Sequence, residues 1–285
     1  MTHGSSGALR DLALQHLPSD AAEQWVGLLR PAVRLEVAVG SDGVIGRLGG
    51  LPRLPDDVDW PTWEGHGPLS FIASVDCSAL PVGGLDIDLP AEGTLLFFYF
   101  DGQLDDGEAL VLAEDRDSWP GARVLHVSGG SERKAPAELQ PYRAVPLTAQ
   151  LAMTAAEPWH PQIRDAFAPQ APLGQRYDHP VCEQEFLDAV WDFDGEVGHQ
   201  IGGHAHSIQN PVEIEVAEAV LHGDTSWDDP RLSEEVGQWL LLAQFDSEDV
   251  ADMMWGDCGA LYWLIRPQDL AERRFDRAMF TWQCG

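Results

Sequence analysis

"GRLGGLPRLP", residues 46–55, and "HQIGGHAHSI", residues 199–208, are the two stretches whose comparison decides the fold. Each runs from a long polar residue through an aliphatic one into Gly-Gly. The likeness continues downstream in the same order. "LSFIASVDCSAL" (69–80) follows the first and "WLLLAQFDSEDV" (239–250) the second; aligned on Ala73 and Ala243, both read apolar run, Ala, polar, apolar, Asp. "EGTLLFFYFD" (92–101) parallels "CGALYWLIRP" (258–267), each a Gly followed by an apolar-aromatic run. "ARVLHVS" (122–128) parallels "DRAMFTWQC" (276–284), with Arg123 against Arg277. Short β-branched and aromatic runs bounded by Gly, Pro and Asp predict strands. Ordered self-similarity predicts an internal repeat.

The fold class that follows is α+β. A duplicated strand-rich unit, with antiparallel sheets packed about a pseudo-twofold axis, comes after short N-terminal helices. Residues 1–40 form the helical segment and first strand. Residues 41–285 form one domain of two repeats, about 44–128 and 197–285. A Pro/Ala-rich connector, "LTAQLAMTAAEPWHPQIRDAFAPQAPLGQRYDHP", joins the repeats and is expected to wrap the surface.

Periodicity fills in the rest. Leu9, Leu12, Ala13 and Leu17 make one side of a first helix, and Ala22, Trp25, Val26 and Leu29 make one face of a second. Asp20 and Glu23 have capping-box spacing, and Pro31 is expected to end that helix. In "AVRLEVAVG" the alternation of Val33, Leu35, Val37 and Val39 with Arg34 and Glu36 predicts a half-buried strand closed at Ser41-Asp42-Gly43. "CEQEFLDAVWDF" predicts a helix with Phe186, Val190 and Phe193 inward.

Taken together, "GRLGGLPRLPDDVDWP", "GPLSFIASVDCSALP", "GTLLFFYFDG", "HQIGGHAHSIQ", "WLLLAQFDS" and "MMWGDCGALYWLIRPQDL" resemble the YwqG-like family, a bacterial domain of unknown function, over roughly residues 46–285. Ser74 stands where that family's first repeat commonly has Gln, which Gln244 keeps in the second. His204 stands where an aromatic residue is more usual. The resemblance implies an α+β fold with antiparallel sheets and brings no established activity. Protein–protein roles are what families of this kind imply.

Charge narrows the field. Forty-seven acids against seventeen Lys and Arg give a formal net charge of −30. That field repels nucleic-acid phosphate and anionic lipid; a solvated acidic surface serving solubility, or a basic partner protein, fits better. Cys77, Cys182, Cys258 and Cys284 form no C-x-x-C pair, which predicts reduced thiols and a cytoplasmic setting. No run of about 18 apolar residues predicts a membrane span, and no leader pattern opens the chain.

Three histidines offer chemistry. If the segment after Gly203 is a strand, His204 and His206 face one way and could hold a metal, with Asp194, Glu196 or Asp257 as a third ligand. The alternatives are structural histidines or a ligand-contacting loop. No resident cofactor is expected. "WGDCG" (255–259) places Asp257 beside Cys258; His199 or His206 could activate that thiol, but a tight turn with Gly256 and Gly259 at positive φ explains it as well. The Gly-Gly pairs read as a backbone requirement of the repeated unit. Asp76 and Asp246, at equivalent strand ends, read as turn-makers. The acidic runs 55–61, 101–108 and 192–196 lack a calcium-loop pattern and read as solvated loops.

Three functions are compatible with this. The first, and the one the sequence favours, is a non-enzymatic protein-binding module, acidic and seeking a basic partner. The second is a hydrolase or metal-dependent enzyme using His199, His204 or His206 with Asp257 or Cys258. The third is small-ligand binding in the cleft between repeats, with Trp60, Gln209, Gln244 and Trp255 as lining.

Overall fold

The computed structural model describes residues 2–40, 43–195, 198–223, 225–227 and 229–285. Ten of its strands form one antiparallel sheet: β1 (Arg30–Val37), β2 (Gly46–Leu48), β6 (Ser70–Asp76), β7 (Thr94–Tyr99), β8 (Ala122–Val127), β10 (Val145–Thr154), β11 (His199–Gly202), β12 (Leu240–Asp246), β13 (Ala260–Ile265) and β14 (Met279–Gln283). Two small two-stranded sheets complete the strands: β3 (Arg53–Leu54) pairs with the distant β9 (Ser131–Glu132), and β4 (Thr62–Trp63) forms a hairpin with β5 (Gly67–Pro68). The strand order is β14-β13-β12-β11-β1-β10-β2-β6-β7-β8. The protein is therefore mixed α and β with one continuous sheet, where two packed sheets were expected.

The sheet rolls nearly into a barrel. Aromatic residues on its inner face bring distant strands together. Phe97 of β7 meets Phe245 of β12 at 4.9 Å and Trp263 of β13 at 5.2 Å between ring centroids, and Tyr99 lies 4.8 Å from Phe280 of β14. Such pairs add to the apolar area they bury. Phe97, Phe245 and Trp263 are all buried, so the main core sits inside this roll.

The repeated motifs occupy matching places in the pairing. Leu48 pairs with Ala73 and Ile201 with Ala243; a register shift follows Phe71 in β6 and Leu241 in β12. Both Gly-Gly pairs are left-handed: Gly49 at +56°, Gly50 at +72°, Gly202 at +68° and Gly203 at +74°. They also admit close neighbours. A Cβ on Gly49 would stand 2.4 Å from the Arg143 carbonyl oxygen, and one on Gly203 2.6 Å from Thr154 Oγ1. Only Gly meets both demands. Asp76 accepts from the Ser78 N–H at 2.9 Å and Asp246 from the Ser247 N–H at 2.8 Å, so both serve the turns that end their strands.

Seven α-helices lie among the described residues: α1 (Thr2–His16), α2 (Ser19–Val26), α3 (Pro161–Phe167), α4 (Gln184–Asp194), α5 (Val212–Val220), α6 (Pro230–Val236) and α7 (Pro267–Ala271). Leu9, Ala13, Trp25 and Phe186 join α1, α2 and α4 into a second core, with Met153 of β10 packed against it. Val212 and Val216 lay α5 on Tyr262, Leu264 and Met279.

Several local expectations are corrected. Helix α2 begins at Ser19, so Asp20 lies within its first turn and makes no capping bond; Glu23 instead pairs with Arg10. Pro31 is the second residue of β1. Val39 is exposed beyond the end of β1, and the turn residues Ser41 and Asp42 lie outside the described residues. Phe186 is buried as expected, but Phe193 is exposed near the end of α4. The largest change concerns the connector. Its opening is β10, ten residues long, paired with all of β1 at the centre of the sheet.

Candidate functional site

After Gly202 the chain leaves β11, and the turn that follows carries His204 and His206 out of strand geometry. The conditional expectation of a shared strand face therefore fails. Buried amides hold the turn. The His204 N–H donates to Thr154 Oγ1 at 2.8 Å, and the His206 N–H to Gln244 Oε1 at 2.9 Å. Gln200 donates through Nε2 to the carbonyls of Gly202 and His204. Gln244 is fully buried and spends its own Nε2 on the Gly198 carbonyl, which makes it a brace for the turn.

The imidazoles take separate partners. His204 Nε2 stands 2.9 Å from the Leu28 carbonyl oxygen; a carbonyl only accepts, so this nitrogen carries the proton. Burial, helped by the neighbouring His160, lowers the His204 pKa to about 3. The His206 ring meets Trp191 edge-on, 4.8 Å between centroids; burial and then the Arg34 charge lower it to about 4. His199 Nδ1 accepts from the Asp246 N–H at 3.0 Å, leaving its proton on Nε2, 3.7 Å from Glu248 Oε2. Burial lowers His199 to about 4 against the pull of Glu248. All three are neutral rings at pH 7. Among the described residues, no group of three or more His, Cys, Asp and Glu is placed to hold a metal ion. Glu196 and the side chain of Asp194 lie outside them.

His204 and His206 form part of the floor of a cavity of about 130 Å³ between α2, α4, the end of β10 and the turn after β11. Its walls are aromatic: Trp25, Trp159, Phe186 and Trp191. Trp25 and Phe186 brace each other edge to face at 5.2 Å. Arg34, Glu157 and Gln200 supply most of the remaining polarity. Burial pushes the Glu157 carboxyl up to about 7, Trp159 opposing and Glu213 adding. Its Oε2 is buried with no hydrogen-bond partner. Behind this end of the cavity His160 Nε2 stands 3.6 Å from Glu213 Oε2, and the His160 and His204 rings are 5.5 Å apart. Burial alone would raise the Glu213 carboxyl, but His160, a backbone hydrogen bond and His204 together outweigh it and the net shift is downward.

The other residues singled out in the sequence lie elsewhere. Trp60 packs edge-on to Phe98 and donates to the Leu69 carbonyl. Gln209 is exposed; its N–H meets Gln283 Oε1, and its Nε2 donates to the Cys284 carbonyl. Trp255 is buried between Tyr99 and Tyr142. The proposed lining set is thus dispersed. Asp257 and Cys258 are exposed in the turn 256–258, and among the described residues no hydrogen bond, ion pair or ring contact joins either to the three histidines. In that turn Gly256 has φ +59°, but the second left-handed residue is Cys258 at +51° and not Gly259. Gly259 is needed for space: a Cβ there would lie 2.2 Å from the Gln283 carbonyl oxygen.

Sequence reasoning missed Arg34, Glu157, Trp159 and Trp191 as site residues. The one available signal was a lone acid among Ala, Pro and Trp in "AAEPWHP" (155–161), within the stretch read as connector.

Fold and site together define a mixed α/β protein with one rolled ten-stranded antiparallel sheet and an aromatic pocket on its outer side. The chain belongs to the family described as domain of unknown function DUF1963, which matches residues 46–284. No curated protein matches it. Among the described residues, no helix is long and apolar enough to cross a membrane.

Proposed function

We propose that this protein binds a small organic molecule with an apolar body and a hydrogen-bond donor, an amine above all, in the aromatic pocket. The observation that carries this reading is Glu157, which lines a cavity walled by three indoles and a phenyl ring and whose Oε2 is buried without a hydrogen-bond partner. An unpaired buried oxygen is costly, and a ligand donor removes that cost. A cation is favoured further by the faces of the Trp rings and by the net charge of −30. The neutral histidines supply shape and hydrogen bonds in this reading. Between the functions compatible with the sequence, small-ligand binding draws the most support from geometry, although the pocket is not the cleft that was expected.

The same proposal includes the duplication. Matching pairings of Leu48–Ala73 and Ile201–Ala243, and four left-handed glycines, support two copies related by a pseudo-twofold axis between β1 and β10. The closer YwqG-like relationship within the family rests on the order of the motifs.

Thermal unfolding with phenethylamine, 3-phenylpropionate and ethylbenzene tests the ligand class. At concentrations well above Kd, phenethylamine is expected to raise Tm by about 2–4 °C and the acid to do so less. Glu157→Gln should remove the preference for the amine. Equal shifts for all three, or a preference for the acid, would overturn the proposal.

A further inference from the structure

The two edge strands of the rolled sheet, β8 and β14, are the ends of the strand order. A groove of about 320 Å³ is lined by both of them and by the turn Phe275–Arg277 that precedes β14. Four of the seventeen Lys and Arg side chains line it: Arg116, Arg123, Arg266 and Arg277. Two of these are the Arg123 and Arg277 that the repeat alignment sets opposite each other.

In so acidic a chain, arginines have many carboxylates to choose from. Here they are only partly matched. Arg266 pairs with Glu235 and lies 4.7 Å over the Trp239 ring. Arg277 reaches Asp276 only at 3.9 Å, with both side chains largely exposed. Arg116 stacks 5.2 Å over Trp119 and donates to the Val220 carbonyl. Arg123 spends one nitrogen, Nη1, on the carbonyls of Trp119 and Ala122, at 3.1 and 2.9 Å. Burial works against its charge, and Asp276 offsets part of that cost. Two carboxylates, Asp269 and Asp276, also line the groove, and Arg274 pairs with Asp269. Four guanidinium groups therefore face two lining carboxylates. Among the described residues, Arg116 and Arg123 form no ion pair.

We propose that this seam groove binds a phosphate monoester carrying a flat ring. Guanidinium forks match the oxygens of an oxyanion. A phosphate presents three terminal oxygens spread in space, which suits several arginines on different elements better than the two coplanar oxygens of a carboxylate. Trp119, half-buried in the lining, offers apolar surface to the ring, and the buried Trp239 fixes Arg266 beside it. The groove shares no lining residue with the aromatic pocket, so the two sites stand or fall separately.

Isothermal titration of the full chain with phenyl phosphate, at about 0.15 M salt where long-range repulsion is screened, tests this. One saturable site is expected. Arg277→Ala and Arg116→Ala should each weaken it about tenfold, the loss of one charge-assisted hydrogen bond. Both side chains are exposed, so unchanged melting curves are expected of both variants. Arg143→Ala, at an exposed arginine outside the groove, should leave Kd unchanged. Phenol should not compete. Absence of saturable binding, an equal loss in Arg143→Ala, or equal affinity for phenol or benzoate would each overturn the proposal.

Discussion

In Glu157 and in the histidines near it burial disfavours the charged form, with opposite consequences for how stability depends on pH. Glu157 is raised from 4.5 to about 7, so the fold favours its protonated form. The stability this supplies is complete below about pH 4.5 and is lost as pH rises through 7. Glu157→Gln holds the neutral state at every pH. In urea melts it should gain on the order of 1–3 kcal/mol at pH 8 and change little at pH 4.5. His206 is lowered from 6.5 to about 4, so the fold favours its neutral ring. That stability is complete above about pH 6.5 and is lost as pH falls towards 4. His206→Phe keeps the ring against Trp191 and cannot take up a proton. It should match the parent at pH 8 and lose stability less steeply between pH 6.5 and 4. A variant as acid-sensitive as the parent would mean that His206 protonates freely in the fold.

At the scale of elements, β10 is the test case. "VPLTAQLAMT" is poor in β-branched residues and has Pro at its second position, and its burial alternates weakly. Such a segment reads as connector because propensity and pattern are both faint. It is a strand because β1 and β2 supply partners on either side. Pro31 and Pro146 each sit second in their strands, near an end where a missing N–H is tolerated. The Pro146 carbonyl accepts from the Ala38 N–H, and alternation then turns the Gln150 N–H towards β1 as well. Gln150 is exposed, so its side chain contributes little. Gln150→Ala should change stability by less than about 0.5 kcal/mol, and Gln150→Pro should cost about 3 kcal/mol or more. Chemical denaturation of the two variants checks this; equal, small effects would return the segment to the surface.

For the whole molecule the question is whether the two halves of the sheet stand or fall as one. Phe97 on β7 touches Phe245 and Trp263 on the far side of the roll and is fully buried. Phe97→Ala should cost about 3–5 kcal/mol. Calorimetry should show a single transition moved to lower temperature. Two separated transitions, one unmoved, would show that the halves unfold independently and that their shared core contributes little cooperativity.

Local sequence carried the local chemistry: the alternating and aromatic runs of most strands, the backbone demand of both Gly-Gly pairs, and the aspartates that close the turns. These follow from short-range sterics and periodicity, which any ten-residue window contains. Only the tertiary structure joins the matched units into one continuous sheet through β1 and β10, sets Glu157 and Trp159 in one pocket with Trp25 and Trp191, and sets Arg123 and Arg277 in one groove. Pairing partners and pocket walls come from residues far apart in the chain, and their positions depend on how the sheet rolls to bury its aromatic face. "HQIGGHAHSI" shows the division within one stretch. Its Gly-Gly is explained by the backbone alone, and its histidines acquire a setting only in the fold, His199 beside Asp246 and Glu248, His204 and His206 beneath α4 and the end of β10.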